Sequence, residues 1–562
     1  MKLFNFENKI IGPIFFVIIF LSTSAVKSLD KFDKADRLSD YFSGILLLND
    51  NQYEDSLGYL KKLRGLEAKH FNYSIKYLYS LVNSGNFKEA FNYSKNLEKQ
   101  KKDNFESHLI SGIFHLKNSN FDLAQKYFLK AKKKNSRFVL NDFVANSLYN
   151  WSTLSNLDQS TFELKKLDDR FENLKKIQNV FLNCYFKSPN TNNLFSELTS
   201  NQKTDFSRYN YFYASYRAST GKKEEAKNIV NTALENYPRN LLLNQYIIDL
   251  EKAKNILLFN CEKKEHVIAE ILYITANALS TQSIYPLSNF YLNLAKYLNE
   301  AFFSYDTLMA ENFYKTNNFH KAKKIYYKLS KNGEAFNWYS SKQLAKILLK
   351  EENKKEALKL LKKSFDKLVN KKIYEIFDYA EFLKNNEKFE DSIPLYTEII
   401  NSVKKEHPLY AEATDGRGVA YERIGKWKNA EKDLLESLKA NPDQAYVINY
   451  LAYSWIEQGI KIKKSLRMLE RANKLRSNDP YIIDSLGWAL FKLGRYKESK
   501  DYIQLAVQLM PADPIVNDHF GDVLWKNGNK IQARYYWKNV LNIKKTEDSL
   551  KKIVQEKLIK GL

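Results

Sequence analysis

The chain has 562 residues and carries 89 Lys and Arg against 65 Asp and Glu, a formal net charge of +24. Hydrophobic residues make up 44 % while Gly and Pro number only 17 and 10, a balance that excludes a disordered or turn-rich β protein and favours helices. The charge does not make a nucleic-acid reader: Lys is interleaved with Glu and Asp, as from Lys350 to Lys372, and no nucleic-acid module occurs, so peripheral contact with an anionic membrane suits the excess better.

The first predicted element is a leader over residues 1–28. Lys2 and Lys9 form a basic head, Ile10 to Leu21 is apolar apart from Gly12 and Pro13, and small polar residues run from Ser22 to Ser28. This is the pattern of a secretory signal peptide cut near Ala25 or Ser28, with an apolar core shorter than the roughly 20 residues of a membrane span. If the leader stays uncut, it becomes an inner-membrane anchor instead.

From there a pair of small residues twelve apart recurs about every 34 residues. Residues 29–135 hold Gly44 with Ser56, Leu78 (a larger exception) with Ala90, and Gly112 with Ala124. In 136–265 the signal fades: two degenerate helical units are expected before residue 200, then Ala214 with Ala226, then an irregular pair between Tyr237 and Glu265. Residues 266–410 give Ala276 with Ser288, Ala310 with Ala322, Ala345 with Ala357 and Ala380 with Ser392. Residues 411–545 give Gly418 with Ala430, Ala452 with Ser465, Gly487 with Ser499 and Gly521 with Ala533. Residues 546–562 place Leu550, Ile553, Val554 and Leu558 on one helical face, as a capping helix requires.

Such a period describes a helix–turn–helix unit that cannot bury its apolar face alone and must stack on its neighbours. Small side chains at the paired positions let two helix axes approach, and larger ones fill the gaps between them. One pair breaks step. Ala452 and Ser465 are thirteen apart, so an extra residue is expected in the turn within Gln458 to Lys464, where it harms no packing. The two cysteines, Cys184 and Cys261, are 77 residues apart, about two units in a stacked array, and are expected to be buried free thiols.

No catalytic constellation emerges. The seven histidines, at 70, 108, 115, 266, 320, 407 and 519, form no zinc motif, and phosphate loops and nucleophile elbows are absent from the sequence. Neither enzyme chemistry nor a metal or cofactor is expected.

The segments Asn449 to Gly459 (NYLAYSWIEQG), Asp479 to Tyr496 (DPYIIDSLGWALFKLGRY) and Asp513 to Gly528 (DPIVNDHFGDVLWKNG) resemble the C-terminal repeats of exported Gram-negative tetratricopeptide repeat proteins. The resemblance implies an all-α, right-handed α-solenoid acting as a periplasmic scaffold or adaptor of protein–protein interactions. One member of that group is a lipoprotein that recruits and activates a C-terminal processing protease. This chain departs from that member in having no cysteine after the leader for acylation. The competing expectation is a membrane-anchored structural or assembly factor of the envelope.

In stacked repeats of this kind the first helices line a concave groove. The repeat offset assigns to it Glu412, Asp415, Glu422 and Arg423; then Tyr446, Asn449, Tyr453 and Glu457; then Tyr481, Asp484, Trp488, Phe491 and Lys492; and last Asp518, Asp522, Trp525 and Lys526. Aromatics and carboxylates alternate there, which suits an extended peptide or partner helix that is basic or neutral. The column of Asp415, Asn449, Asp484 and Asp518 is read equally well as hydrogen bonding between first helices. A second partner is expected on the N-terminal repeats, Asp40 to Ala131.

Overall fold

The computed structural model describes residues 35–134, 139–154, 171–200, 206–254 and 257–562; the leader expected at 1–28 lies outside them. Among the described residues every regular element is helical and none is a strand, as the all-α expectation requires. None of these helices is long and apolar enough to cross a membrane. The chain divides into two units, one ending at Leu368 and the other running from Val369 to Leu562.

The second member of each small pair, from Ser56 to Ala533, is fully buried. Where it is serine it can also satisfy a backbone group. Ser56, Ser288 and Ser499 donate their hydroxyls to the carbonyls of Gly44, Ala276 and Gly487, each twelve residues back, at 2.8, 2.7 and 2.7 Å. The first members are small for another reason. A Cβ on Gly112, Gly487 or Gly521 would lie within 2.3–2.4 Å of the side chains of Phe128, Ile503 and Trp537, each sixteen residues on. The larger side chain therefore seats directly on the glycine backbone.

The register slip is absorbed where the sequence places it. The turns inside the other three C-terminal helix pairs each use one left-handed residue, Gly425, Gly494 or Gly528, whereas the turn before Ile462–Leu475 uses two, Gly459 at φ 70° and Lys461 at φ 51°. A second left-handed residue reverses the extra step, so Ser465 still arrives in the interior.

In the first unit the repeats fold back on themselves. The helix Tyr285–Leu298 lies against the inner faces of Phe71–Asn83 and Phe105–Lys117. Tyr79 packs on Phe290 with ring centroids 4.7 Å apart, and Phe87 stacks on Tyr297 at 4.3 Å. Asn83 donates to the Pro286 carbonyl at 3.2 Å and accepts from Asn293 at 3.1 Å. Asn289, 0 % exposed, donates to the Tyr53 hydroxyl at 2.6 Å and accepts from Asn312 at 2.9 Å. Its contact with Asn51 spans 238 residues, seven periods of 34. The expectation of a second partner on the N-terminal repeats, Asp40 to Ala131, is narrowed by this packing: where Tyr285–Leu298 lies on Phe71–Asn83 and Phe105–Lys117, this chain's own helix is the occupant.

The irregular middle brings a second correction. Cys184, on Glu172–Tyr185, and Cys261 have Cα atoms 5.9 Å apart and are bonded as a disulfide. Regular stacking would have kept them apart. Instead the segment after Leu241–Glu251 folds onto the earlier helices, with Phe259 packed on Phe181 and Phe212 at 5.1 and 4.5 Å.

Candidate protein-binding groove

Four first helices of the second unit carry the expected groove: Pro408–Arg423, Ala445–Glu457, Pro480–Lys492 and Pro514–Lys526. The last two start alike. Asp479 and Asp513 accept from the second and third backbone N–H groups of their helices, and proline fills the first helical position where no donor is needed. These caps fix the register of the side chains that follow.

The C-terminal half of the groove is closed by this chain. Asp484 is buried and accepts from Nδ1 of His519, on the next first helix, at 3.0 and 3.1 Å. Trp488 is 6 % exposed, with one face stacked on His519 at 3.9 Å, Phe491 at 4.7 Å, and its Nε1 donating to Glu457 at 2.7 Å. Burial alone would lower the His519 pKa; Asp484, with Asp518 and Asp522 behind it, outweighs that and holds it above the usual imidazole value.

One repeat further, Lys557 of the terminal helix Asp548–Lys560 takes the same role. Its ammonium donates to both oxygens of Asp518 at 2.7 and 2.8 Å and to Asp522 at 2.8 Å. Asp522 also accepts from Trp537 Nε1 at 2.9 Å, and burial beside Asp518 pushes its pKa up to about 6. Trp525 is half-buried against Trp537 at 5.4 Å, beneath Lys530 and Arg534. The expectation that Trp488, Asp484, Asp518 and Asp522 face a partner is corrected to this extent: their polar atoms and rings are engaged within the chain. For the two C-terminal rungs of the acidic column, the contact is lateral.

The N-terminal half differs. Asp415 is half-buried and meets no hydrogen-bond donor among the described residues; burial, with Glu381 and Glu412 nearby and Lys384 opposing, raises its pKa to about 6. Asn449 Oδ1 is buried and likewise lacks a donor. Tyr446 and Tyr481 are 50 and 58 % exposed, and Tyr453 is half-buried. The Tyr446 hydroxyl donates to Asp479 at 2.8 Å, and Arg476 lies over its ring at 4.6 Å. Phe491 is half-buried between Trp488 and Tyr496.

Sequence reasoning missed His519, Lys557 and Tyr450, whose hydroxyl donates to Glu422 at 2.7 Å. A usable signal existed: His519 follows Asp518 by one position, and Tyr450 follows Asn449 by one. That adjacent position decides what each acid of the preceding repeat meets.

Residues 309–546 match the model of the tetratricopeptide repeat family, so that stretch of the chain is built of tetratricopeptide repeats. The TPR repeat-containing protein PA4667 of Pseudomonas aeruginosa is 28 % identical over 176 residues, 31 % of this chain and 29 % of that protein. The chain thus spans under a third of that relative's length. Among solved structures, YrrB, described as a TPR protein with an unusual peptide-binding site, is 17 % identical with a TM-score of 0.27, covering 33 % of this chain and 92 % of that one. MamA from Desulfovibrio magneticus RS-1 is 16 % identical with a TM-score of 0.28, covering 32 % and 99 %.

Proposed function

We propose that the chain is an exported, non-enzymatic adaptor that holds a segment of a protein partner in the groove of its second unit. Tetratricopeptide repeats serve protein–protein interaction, and the observation that carries the groove reading is the pair of unmet polar groups, Asp415 and Asn449 Oδ1, beside the accessible Tyr446 and Tyr453. A buried acceptor without a donor, as Asn449 Oδ1 is, is costly to leave in a protein that never binds anything there, and the half-buried Asp415 beside it offers a carboxylate that no donor of this chain meets among the described residues. Export is supported by the leader pattern of residues 1–28 and by the Cys184–Cys261 bond, which is at home in an oxidising compartment such as the periplasm. Within that compartment the adaptor would recruit or activate an envelope enzyme, a protease among the candidates.

The test is site-specific photocrosslinking in cells, with the photoreactive side chain at Tyr446, at Tyr453, or at Tyr535, an exposed position on the second helix Lys530–Asn542. Adducts of one defined mass from the first two and none from Tyr535 are expected. Equal yields at all three positions, or none, defeat the groove reading. Mass spectrometry of the mature N-terminus reads export separately: a start near Val26 or Leu29 is expected, and an intact Met1 on a membrane-bound chain overturns it in favour of the anchored assembly factor.

A further inference from the structure

The acidic column runs through Asp415, Asn449, Asp484 and Asp518 at steps of 34, 35 and 34 residues, and the extra residue is absorbed in the turn at Gly459 to Lys461. These are therefore equivalent rungs of four consecutive first helices. At the third and fourth rungs this chain supplies a cation. His519 reaches Asp484 from the next first helix, and Lys557 reaches Asp518 and Asp522 from the terminal helix.

At the first two rungs no cation of the described residues bonds to the column. The residue equivalent to His519 is Tyr450 beside the Asp415 rung, and its hydroxyl is spent on Glu422. Beside the Asn449 rung it is Ser485, whose hydroxyl donates to the Tyr481 carbonyl at 2.9 Å. Lys384, which faces Asp415, is committed to Glu381 at 2.7 Å. What remains is a carboxylate and an amide oxygen on neighbouring helices, both acceptors, with Tyr446 and Tyr453 on the same inner face.

We infer that the groove between Asp415 and Asn449 receives a lysine or arginine side chain from an extended segment of the partner, filling the two empty rungs as His519 and Lys557 fill the next two. The side chain's stem would lie along the tyrosine rings and its charged head on Asp415, with Asn449 Oδ1 accepting a second N–H. Guanidinium, with several donors in a fixed plane, suits two separate acceptors better than ammonium does. This inference rests on the adaptor reading and adds the chemistry of the occupant.

The experiment selects a random twelve-residue peptide library on the full chain and measures the enriched peptides by fluorescence anisotropy. Enriched sequences are expected to share Lys or Arg at one position. Replacing that residue by norleucine, or Asp415→Asn in the protein, should each weaken binding about tenfold or more, with little further loss when combined. Asn449→Ala should weaken it less. Peptides that lose binding on Tyr453→Ala but ignore Asp415→Asn and carry no basic bias would overturn this inference and leave the adaptor reading standing. Peptides indifferent to Tyr453→Ala as well, or a selection that enriches nothing, would overturn both. Thermal melts of each variant show whether lost binding reflects lost folding.

Discussion

His519 hangs both its charge and its ring on one neighbouring helix: Nδ1 bridges the two carboxylate oxygens of Asp484 at 3.0 and 3.1 Å, while Trp488, one turn further along, lies 3.9 Å beneath the ring at 12°. Each contact favours the protonated imidazole, the first as a charge-assisted hydrogen bond and the second as a cation on an aromatic face. A pair this buried contributes less by its own attraction than its disruption costs, because removing one partner strands the other charge.

His519→Gln should therefore destabilise the second unit by about 3 kcal/mol at neutral pH. The folded-state pKa of His519 lies above its ordinary value near 6.5, so its contribution is complete below that pH and is lost as pH rises through the folded value. Urea unfolding followed by tryptophan fluorescence should show the wild-type midpoint falling from pH 6 towards pH 9, with a flatter dependence in the variant. Parallel pH profiles for the two proteins would refute the assignment.

Lys557 holds the end of the stack through Asp518 and Asp522, and Lys557→Met should cost about 2–4 kcal/mol by leaving two buried carboxylates without a cation. Asp522 already titrates at about 6, above the ordinary carboxylate value, so the stability linked to its proton is complete below that ordinary value and is lost as pH rises through about 6. Without Lys557 that window moves upward. The deficit of the variant should accordingly be larger at pH 7 than at pH 5, and amide exchange over Asp548–Lys560 should quicken most at the higher pH.

The helix pairs were legible because a 34-residue period imposes the same packing demand at every unit, and a single glycine such as Gly487 declares where two backbones meet. The groove was legible only as an offset along a repeat. Which rungs face solvent depends on the residue one position past the column in the next repeat, and His519, Tyr450 and Ser485 do three different things there. The fold-back of Tyr285–Leu298 was not legible, since it joins side chains more than 200 residues apart, six to seven repeat periods along the chain. The disulfide was hidden for a related reason: the segment carrying Phe259 and Cys261 leaves the stack and folds back onto it.

Reduction of Cys184–Cys261 should lower the stability of the first unit by about 2–4 kcal/mol, the typical contribution of a bridge closing a long loop. The thermal melt in dithiothreitol and that of the Cys184→Ser/Cys261→Ser double variant should agree with each other, both below the melt of the oxidised protein. Proteolysis should then cut first in the segment around Leu257 to Lys263, which the bond holds against Glu172–Tyr185. A reductant-insensitive melt would mean that the aromatic packing of Phe259 suffices without the bond.

Glycine substitutions should rank by the space the partner side chain leaves. At Gly487 an added Cβ would sit 2.4 Å from Ile503 Cγ1 and 3.2 Å from the Ile503 backbone nitrogen, so the isoleucine would have to leave its rotamer and the helix would have to shift. At Gly521 the obstacle is the Trp537 indole at 2.3 Å, whose Nε1 is tied to Asp522, so moving the ring also breaks a buried hydrogen bond. At Gly418 the nearest atom is Leu434 Cγ at 3.1 Å, a displacement of a few tenths of an ångström. The gain in helix propensity from Gly to Ala, about 1 kcal/mol, is the same at all three positions and opposes the clash. Gly418→Ala should thus be close to neutral, whereas Gly487→Ala should lose about 1–3 kcal/mol to overpacking and Gly521→Ala at least as much. Equal midpoints for the three variants in urea would show that the helix pairs relax freely, and that close approach of their axes is not what the small residues secure.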